Sequence, residues 1–149
     1  MKPFVLSIRA EYARRILVGD KRVEIRKSMP GGADRSKFDR GDTALIYESR
    51  GRGRIVASFT VGSLIHAQSP ADLWRTIGTM DPGSHGIDRA AFFKYFEGRE
   101  TGVAFGVTDV RPLDMPLPAD MHPPQHWARW KGPWPLEGIA SGADGSGST

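Results

Sequence analysis

Apolar positions recur along this chain at two different periods, and the changes from one to the other mark out its elements. Phe4 to Ile8 is an apolar run after Pro3 and predicts a buried first strand. Residues 10–18 follow the helical period, with Ala13, Ile16 and Leu17 on one side and Arg14 and Arg15 on the other. A helix this short is marginal alone, so packing must hold it. Gly19 stands where a helix end needs a residue at positive φ, and beyond it Val23 and Ile25 alternate with Arg22, Glu24 and Arg26. That alternation predicts a half-buried strand with a solvated, charged outer face.

The period of two returns at Thr43 to Ser49, with Ala44, Ile46 and Glu48 on one face and Leu45, Tyr47 and Ser49 on the other. Ile55 to Leu64 predicts the longest strand, where Gly62 marks a bulge or bend. Ser69, Pro70 and Asp72 form a helix start, and Leu73, Trp74 and Ile77 supply that helix's apolar side. Asp88 predicts the cap of a further helix running to Glu97 and closed by Gly98. Its Phe92, Phe93 and Phe96 sit at helical spacing and read as core, not as a base-stacking platform. Gly102 to Arg111 predicts another strand, and the proline-rich run from Pro112 to Pro118 an extended surface crossing.

Between these elements lie two basic connections. Residues 28–42 are rich in turn formers and predict a long surface loop carrying Arg35, Lys37 and Arg40, able to close over a ligand. Arg50 to Arg54 alternates arginine with glycine and predicts a tight hairpin. It is no phosphate-cradling loop, because no helix N-terminus follows it.

A length of 149 residues suits a single core. The domain is expected over residues 1–135, followed by a disordered tail over 136–149, which is mostly Gly, Ser, Ala and Asp. No apolar run approaches the ~18–20 residues of a membrane span, so no membrane partner and a cytoplasmic location are expected. The absence of cysteine excludes disulfides and thiolate chemistry. The net charge of +4 is unevenly distributed. Residues 1–60 hold fourteen Lys or Arg against seven Asp or Glu, a balance of +7, and residues 61–149 hold seven against ten, a balance of −3. A basic first part suits a polyanion, since cations that neutralise phosphates release condensed counterions.

Candidate chemistry is sparse. No nucleophile elbow, phosphate loop or dinucleotide fingerprint is present. His122 and His126 have the spacing of a helical metal pair, but Pro123 and Pro124 prevent the helix, so no metal or other cofactor is expected. Lys21, Glu24, Tyr47 and Ser49 remain as a reactive set. A partly buried lysine beside a carboxylate and a tyrosine can act as a base or stabilise an oxyanion. The bland alternative is a Lys21–Glu24 salt bridge at the rim, contributing at most about 1 kcal/mol if exposed.

The order of Phe4 to Ile8, a short helix, Gly19, Lys21, Glu24 and Arg26, then Ala44 to Ser49 and Ile55 to Phe59, resembles the ASCH domains of the PUA-like superfamily. Gly86 to Phe96 and Pro123 to Gln125 extend the similarity, which spans about residues 4–130. The resemblance implies an α+β fold, a small, partly open PUA-like mixed β-barrel with about three flanking helices, in which the Pro123 to Trp127 segment returns near the charged strand. One similar branch is an amidohydrolase of acylated cytidine using lysine, threonine and glutamate. Lys21 matches its lysine, whereas Glu24 stands in place of the threonine, a poor exchange for attack on an amide. Other ASCH proteins are described as ribonucleases or RNA-binding regulators, and PUA-like relatives such as YTH domains grip single modified bases.

The leading expectation is nucleic-acid binding, RNA foremost, in a basic cleft. Ser7, Lys21, Arg26, Lys27, Tyr47, Ser49, Arg50, Arg52, Arg54, Gln125 and Trp127 are its expected contacts. Among them Tyr47 or Trp127 would stack on an unpaired base, and Glu24 and Gln125 would read its edge. The alternative is a ribonuclease or an amidohydrolase of modified cytidine, with Lys21, Glu24 and Tyr47 as catalytic residues. The expected partner is thus RNA, a single-stranded nucleic acid or a modified nucleoside. A third possibility is a protein-interaction module on an exposed Trp130 and Trp134 region.

Overall fold

Gly19 adopts φ +90° and its N–H closes the end of a nine-residue helix, so the chain leaves one face of a sheet and re-enters at its far edge. The computed structural model describes residues 2–29, 38–80, 85 and 87–136. The elements are β1 (Phe4–Arg9), α1 (Ala10–Val18), β2 (Val23–Arg26), β3 (Thr43–Ser49), β4 (Ile55–Ala67), α2 (Pro70–Met80), α3 (Arg89–Tyr95), β5 (Gly102–Met115) and β6 (Trp127–Arg129). The Arg35 and Lys37 part of the long loop, and nearly all of the expected tail, lie outside the described residues.

The strands form one mixed sheet in the order β2-β5-β4-β3-β1-β6, with β1 parallel to β3 and the other pairs antiparallel. Its two edges, β2 and β6, do not pair, so the expected barrel is corrected to an open sheet with three helices. Curvature comes from the longest strands. Register shifts between Val61 and Leu64, and Gly62 lies against Gly106, where a Cβ on Gly62 would meet Thr108 Cγ2 at 3.2 Å. The missing side chains let β4 and β5 bend around each other.

Three apolar clusters hold the sheet. Phe4, Leu6 and Ile46 pack with Ala13 and Ile16 of α1 and with Phe38, whose ring lies edge-on to Phe105 at 4.7 Å. Leu73 and Ile77 of α2 and Phe92 and Phe96 pack on Val23, Ile25 and Ala104, which confirms the aromatic face as core. Val5, Leu45, Ile55, Met121 and Trp130 form the third. Both expected caps are present: Ser69 Oγ accepts from the Asp72 N–H and Asp88 Oδ1 from the Ala91 N–H.

Other expectations change: β5, with 14 residues, and not β4, with 13, is the longest strand, and α3 ends at Tyr95 before the expected Glu97. Strand β5 runs on through Pro112 to Met115, because the pairing with β4 is irregular between Ile55 and Ala57 and a bulge spares the proline a ladder donor. Trp130 is buried, its indole N–H bonded to the Pro133 carbonyl, so no exposed Trp130 patch exists. The charged side of β2 is not solvated, since all four of its residues are buried. That last difference creates the site.

Candidate functional site

Lys21, Glu24 and Arg26 are 1%, 7% and 8% exposed and form one buried network at the sheet edge. Lys21 follows the turn at Gly19, and its ammonium donates to the Val23 carbonyl at 2.7 Å, to the His85 carbonyl at 2.6 Å and to Glu24 Oε1 at 3.4 Å. All three protons therefore have acceptors. Glu24 Oε1 also accepts from the Ile25 N–H at 3.3 Å, while Oε2 accepts from Arg26 Nε at 3.2 Å and Nη2 at 2.9 Å. Four donors occupy its lone pairs, so Glu24 has no capacity left for a base edge.

Arg26 reaches across the open edge. Its Nη2 donates to the Ser7 carbonyl at 2.9 Å and its Nη1 to the His126 carbonyl at 3.2 Å. The Pro124 to His126 segment is drawn in by the same contacts: Ser7 Oγ donates to the Pro124 carbonyl, and the Ser7 N–H to the His126 carbonyl at 3.0 Å. That segment returns beside the charged strand as expected.

Burial sets the electrostatics. Desolvation pushes the Lys21 ammonium below its ordinary 10.5; the Glu24 charge opposes this, and Arg26 and Arg15 add to it. Desolvation would raise the Glu24 carboxyl, but the charges of Arg26 and Lys21 outweigh it and hold the group below its ordinary 4.5. Burial, with the Lys21 charge second, lowers His85, and burial raises Tyr95.

Above the network opens a cavity of about 580 Å³, within the usual range for a small ligand. Ser7, Ile8 and Arg9 of β1, Tyr12 of α1, Lys27, Ser49, Arg50, Tyr95 of α3 and Gln125 line it, together with Lys21, Glu24 and Arg26. Lys27 Nζ lies 4.9 Å from the Tyr95 ring centre, and Lys21 Nζ 5.6 Å from that of Tyr12. Among the described residues, Arg9, Lys27 and Arg50 have no carboxylate partner. The cavity is thus walled by two tyrosines and rimmed by three cations.

Of the expected contacts, Ser7, Lys21, Arg26, Lys27, Ser49, Arg50 and Gln125 come together here. Tyr47, Arg52, Arg54 and Trp127 do not line the cavity. Tyr47 packs against the third apolar cluster, and Trp127 lies edge-on to Phe4 at 5.3 Å with 37% of its surface exposed. Arg54 is paired with Asp114 at 2.5 Å. Tyr12, Tyr95 and Arg9 went unrecognised in the sequence. Tyr95 carries the one hydroxyl in the aromatic run from Phe92 to Phe96, which was its available signal.

The model of the ASCH domain family matches residues 6–137. Among solved structures, an ASCH protein from Zymomonas mobilis superposes with a TM-score of 0.71 at 24% identity, over 86% of this chain and 87% of that one. A mutant of the Zymomonas mobilis protein gives 0.72 at 23%, over 87% and 90%. No curated protein sequence matches. Among the described residues no helix is long and apolar enough to cross a membrane.

Proposed function

The chain belongs to the ASCH domain family, a PUA-like fold often linked to RNA binding, and from that premise we propose that it binds single-stranded nucleic acid, RNA foremost, by taking one unpaired nucleotide into the cavity. The carrying observation is the cavity's composition: aromatic walls at Tyr12 and Tyr95 beneath a rim of Arg9, Lys27 and Arg50. Aromatic faces suit any base, and cations without a carboxylate partner suit the flanking phosphates. Edge recognition falls to Gln125 and Ser49, since the buried network already uses up Glu24.

The test is fluorescence anisotropy with labelled single-stranded RNA over a salt series, wild type beside a Lys27→Gln/Arg50→Gln variant, with single-stranded DNA in parallel. Binding that weakens with salt and falls tenfold or more in the variant is expected. Binding indifferent to salt, or unchanged in the variant, would overturn the reading.

One observation favours a second reading, hydrolysis of RNA or of an acylated cytidine. Burial lowers the Lys21 ammonium toward the range of a base. Its three protons are all engaged, so it would need to release one acceptor on substrate binding. Product formation that disappears in Lys21→Ala while binding survives is the expected signature of this reading.

A further inference from the structure

The hairpin after β3 is built around a carboxylate. Glu48, buried at the end of that strand, accepts the Arg52 N–H at 2.8 Å and Arg52 Nε at 3.4 Å through Oε1. The chain turns tightly to allow it: Arg50 adopts φ +53° and Gly53 φ +67°. Gly51 has no room for a side chain, since a Cβ there would lie 2.5 Å from Glu48 Oε1 and 2.9 Å from Ala10 Cβ. Residues 50–54 are therefore held against the start of α1, not left as a flexible arginine-glycine tract.

This placement aligns cations. Arg50 reaches the cavity rim, and the Arg52 side chain beside it is 56% exposed. Arg14 lies one helical turn beyond Ala10, on the face against which Gly51 packs, and is exposed. Its charge acts on Glu48. On the hairpin's other side Arg54 is neutralised by Asp114. The positive charge therefore lies on the α1 side of the hairpin, where Arg50, Arg52 and Arg14 outnumber the single buried carboxylate of Glu48.

We infer that Arg50, Arg52 and Arg14 form a ridge that carries the phosphate backbone of a single strand out of the cavity, so that the site spans several nucleotides. The inference rests on the nucleotide-binding reading above and adds a direction and a length to it. Phosphate is the partner because two guanidiniums on the rigid turn and a third on the adjoining face of α1 offer charge and forked donors.

The test compares mixed-sequence oligoribonucleotides three and nine nucleotides long, labelled and titrated over a salt series. Wild type is expected to bind the nonamer more tightly than the trimer. An Arg14→Gln/Arg52→Gln variant is expected to keep trimer affinity within about twofold, and to flatten the nonamer's log–log salt slope by about 1.4, or about 0.7 for each phosphate no longer neutralised. Arg14→Gln alone, which alters no hairpin residue and adds no charge beside Glu48, should weaken only the nonamer, and matching melting curves exclude unfolding. An unchanged nonamer slope overturns the ridge, as does equal loss for both lengths. Nonamer binding that needs the ridge but is indifferent to Lys27→Gln would overturn the cavity reading while sparing the ridge, and no binding by wild type overturns both.

Discussion

Arg26 Nη2 donates to the Ser7 main-chain carbonyl at 2.9 Å, although three strands separate β2 from β1 in the sheet. One guanidinium thus does across the open edge what ladder hydrogen bonds would do in a closed barrel. The same guanidinium neutralises Glu24 and anchors the His126 carbonyl, so fold and cavity depend on one side chain.

Arg26→Ala is expected to destabilise the protein by about 3–5 kcal/mol, because it leaves a buried carboxylate with half its partners, takes the guanidinium from the Ser7 carbonyl and leaves the His126 carbonyl with the Ser7 N–H alone. Arg26→Lys should recover only part of this, since an ammonium cannot span the separate acceptors that the planar fork reaches. Urea unfolding measures both. A loss under about 1 kcal/mol for the alanine variant would show that water replaces the guanidinium with only the small penalty of an exposed pair.

Glu24 has a folded-state pKa below its ordinary 4.5, so the stability it contributes is present above 4.5 and is lost as pH falls through the lower folded value. Wild type should therefore lose stability below pH 4.5 more steeply than Glu24→Gln, which has no such proton to take up. Unfolding midpoints from neutral to strongly acidic pH give the comparison. Parallel curves would mean that the Glu24 carboxyl binds its proton equally well in the folded and unfolded chain, against the lowering that Arg26 and Lys21 impose.

His85 Nδ1 accepts the Ile87 N–H at 3.3 Å, and its ring lies 5.1 Å from Trp74. With a pKa depressed by burial, it contributes stability above its ordinary 6.5 that is lost as pH falls through the folded value. His85→Phe keeps the ring and removes the proton site. Its stability should change less between about pH 7.5 and pH 5 than that of wild type. An equal pH response in both proteins would place the acid sensitivity elsewhere.

Gly51→Ala places a methyl group where Glu48 Oε1 and Ala10 Cβ already stand, and Glu48 is pinned by the Arg52 N–H. A destabilisation of about 1–3 kcal/mol is expected, typical of forced overpacking. Thermal melts read the stability, and nonamer affinity should fall with the displaced arginines. A variant as stable as wild type would show the turn to be softer than its contacts indicate.

Local chemistry was legible in the chain. Gly19 ended α1 where positive φ was needed, Ser69 and Asp88 capped their helices, and Gly62 marked the bend, because each of these acts within a few residues. The clustering of Lys21, Glu24 and Arg26 was also visible, since they lie within six positions. Their burial was not. Alternation reports that two faces of a strand differ, and a charged face was read as a wet one. Here that face is covered by Ser7, by the Pro124 to His126 segment and by the residues before α3, a hundred or more positions apart at the extremes. Tyr12 and Tyr95 entered the cavity for the same reason, and Tyr47 was left out of it. Short-range steric and hydrogen-bonding demands determined the elements from sequence. The open edge, the buried ion network and the walls of the cavity were decided by which distant segments the curved sheet brings together.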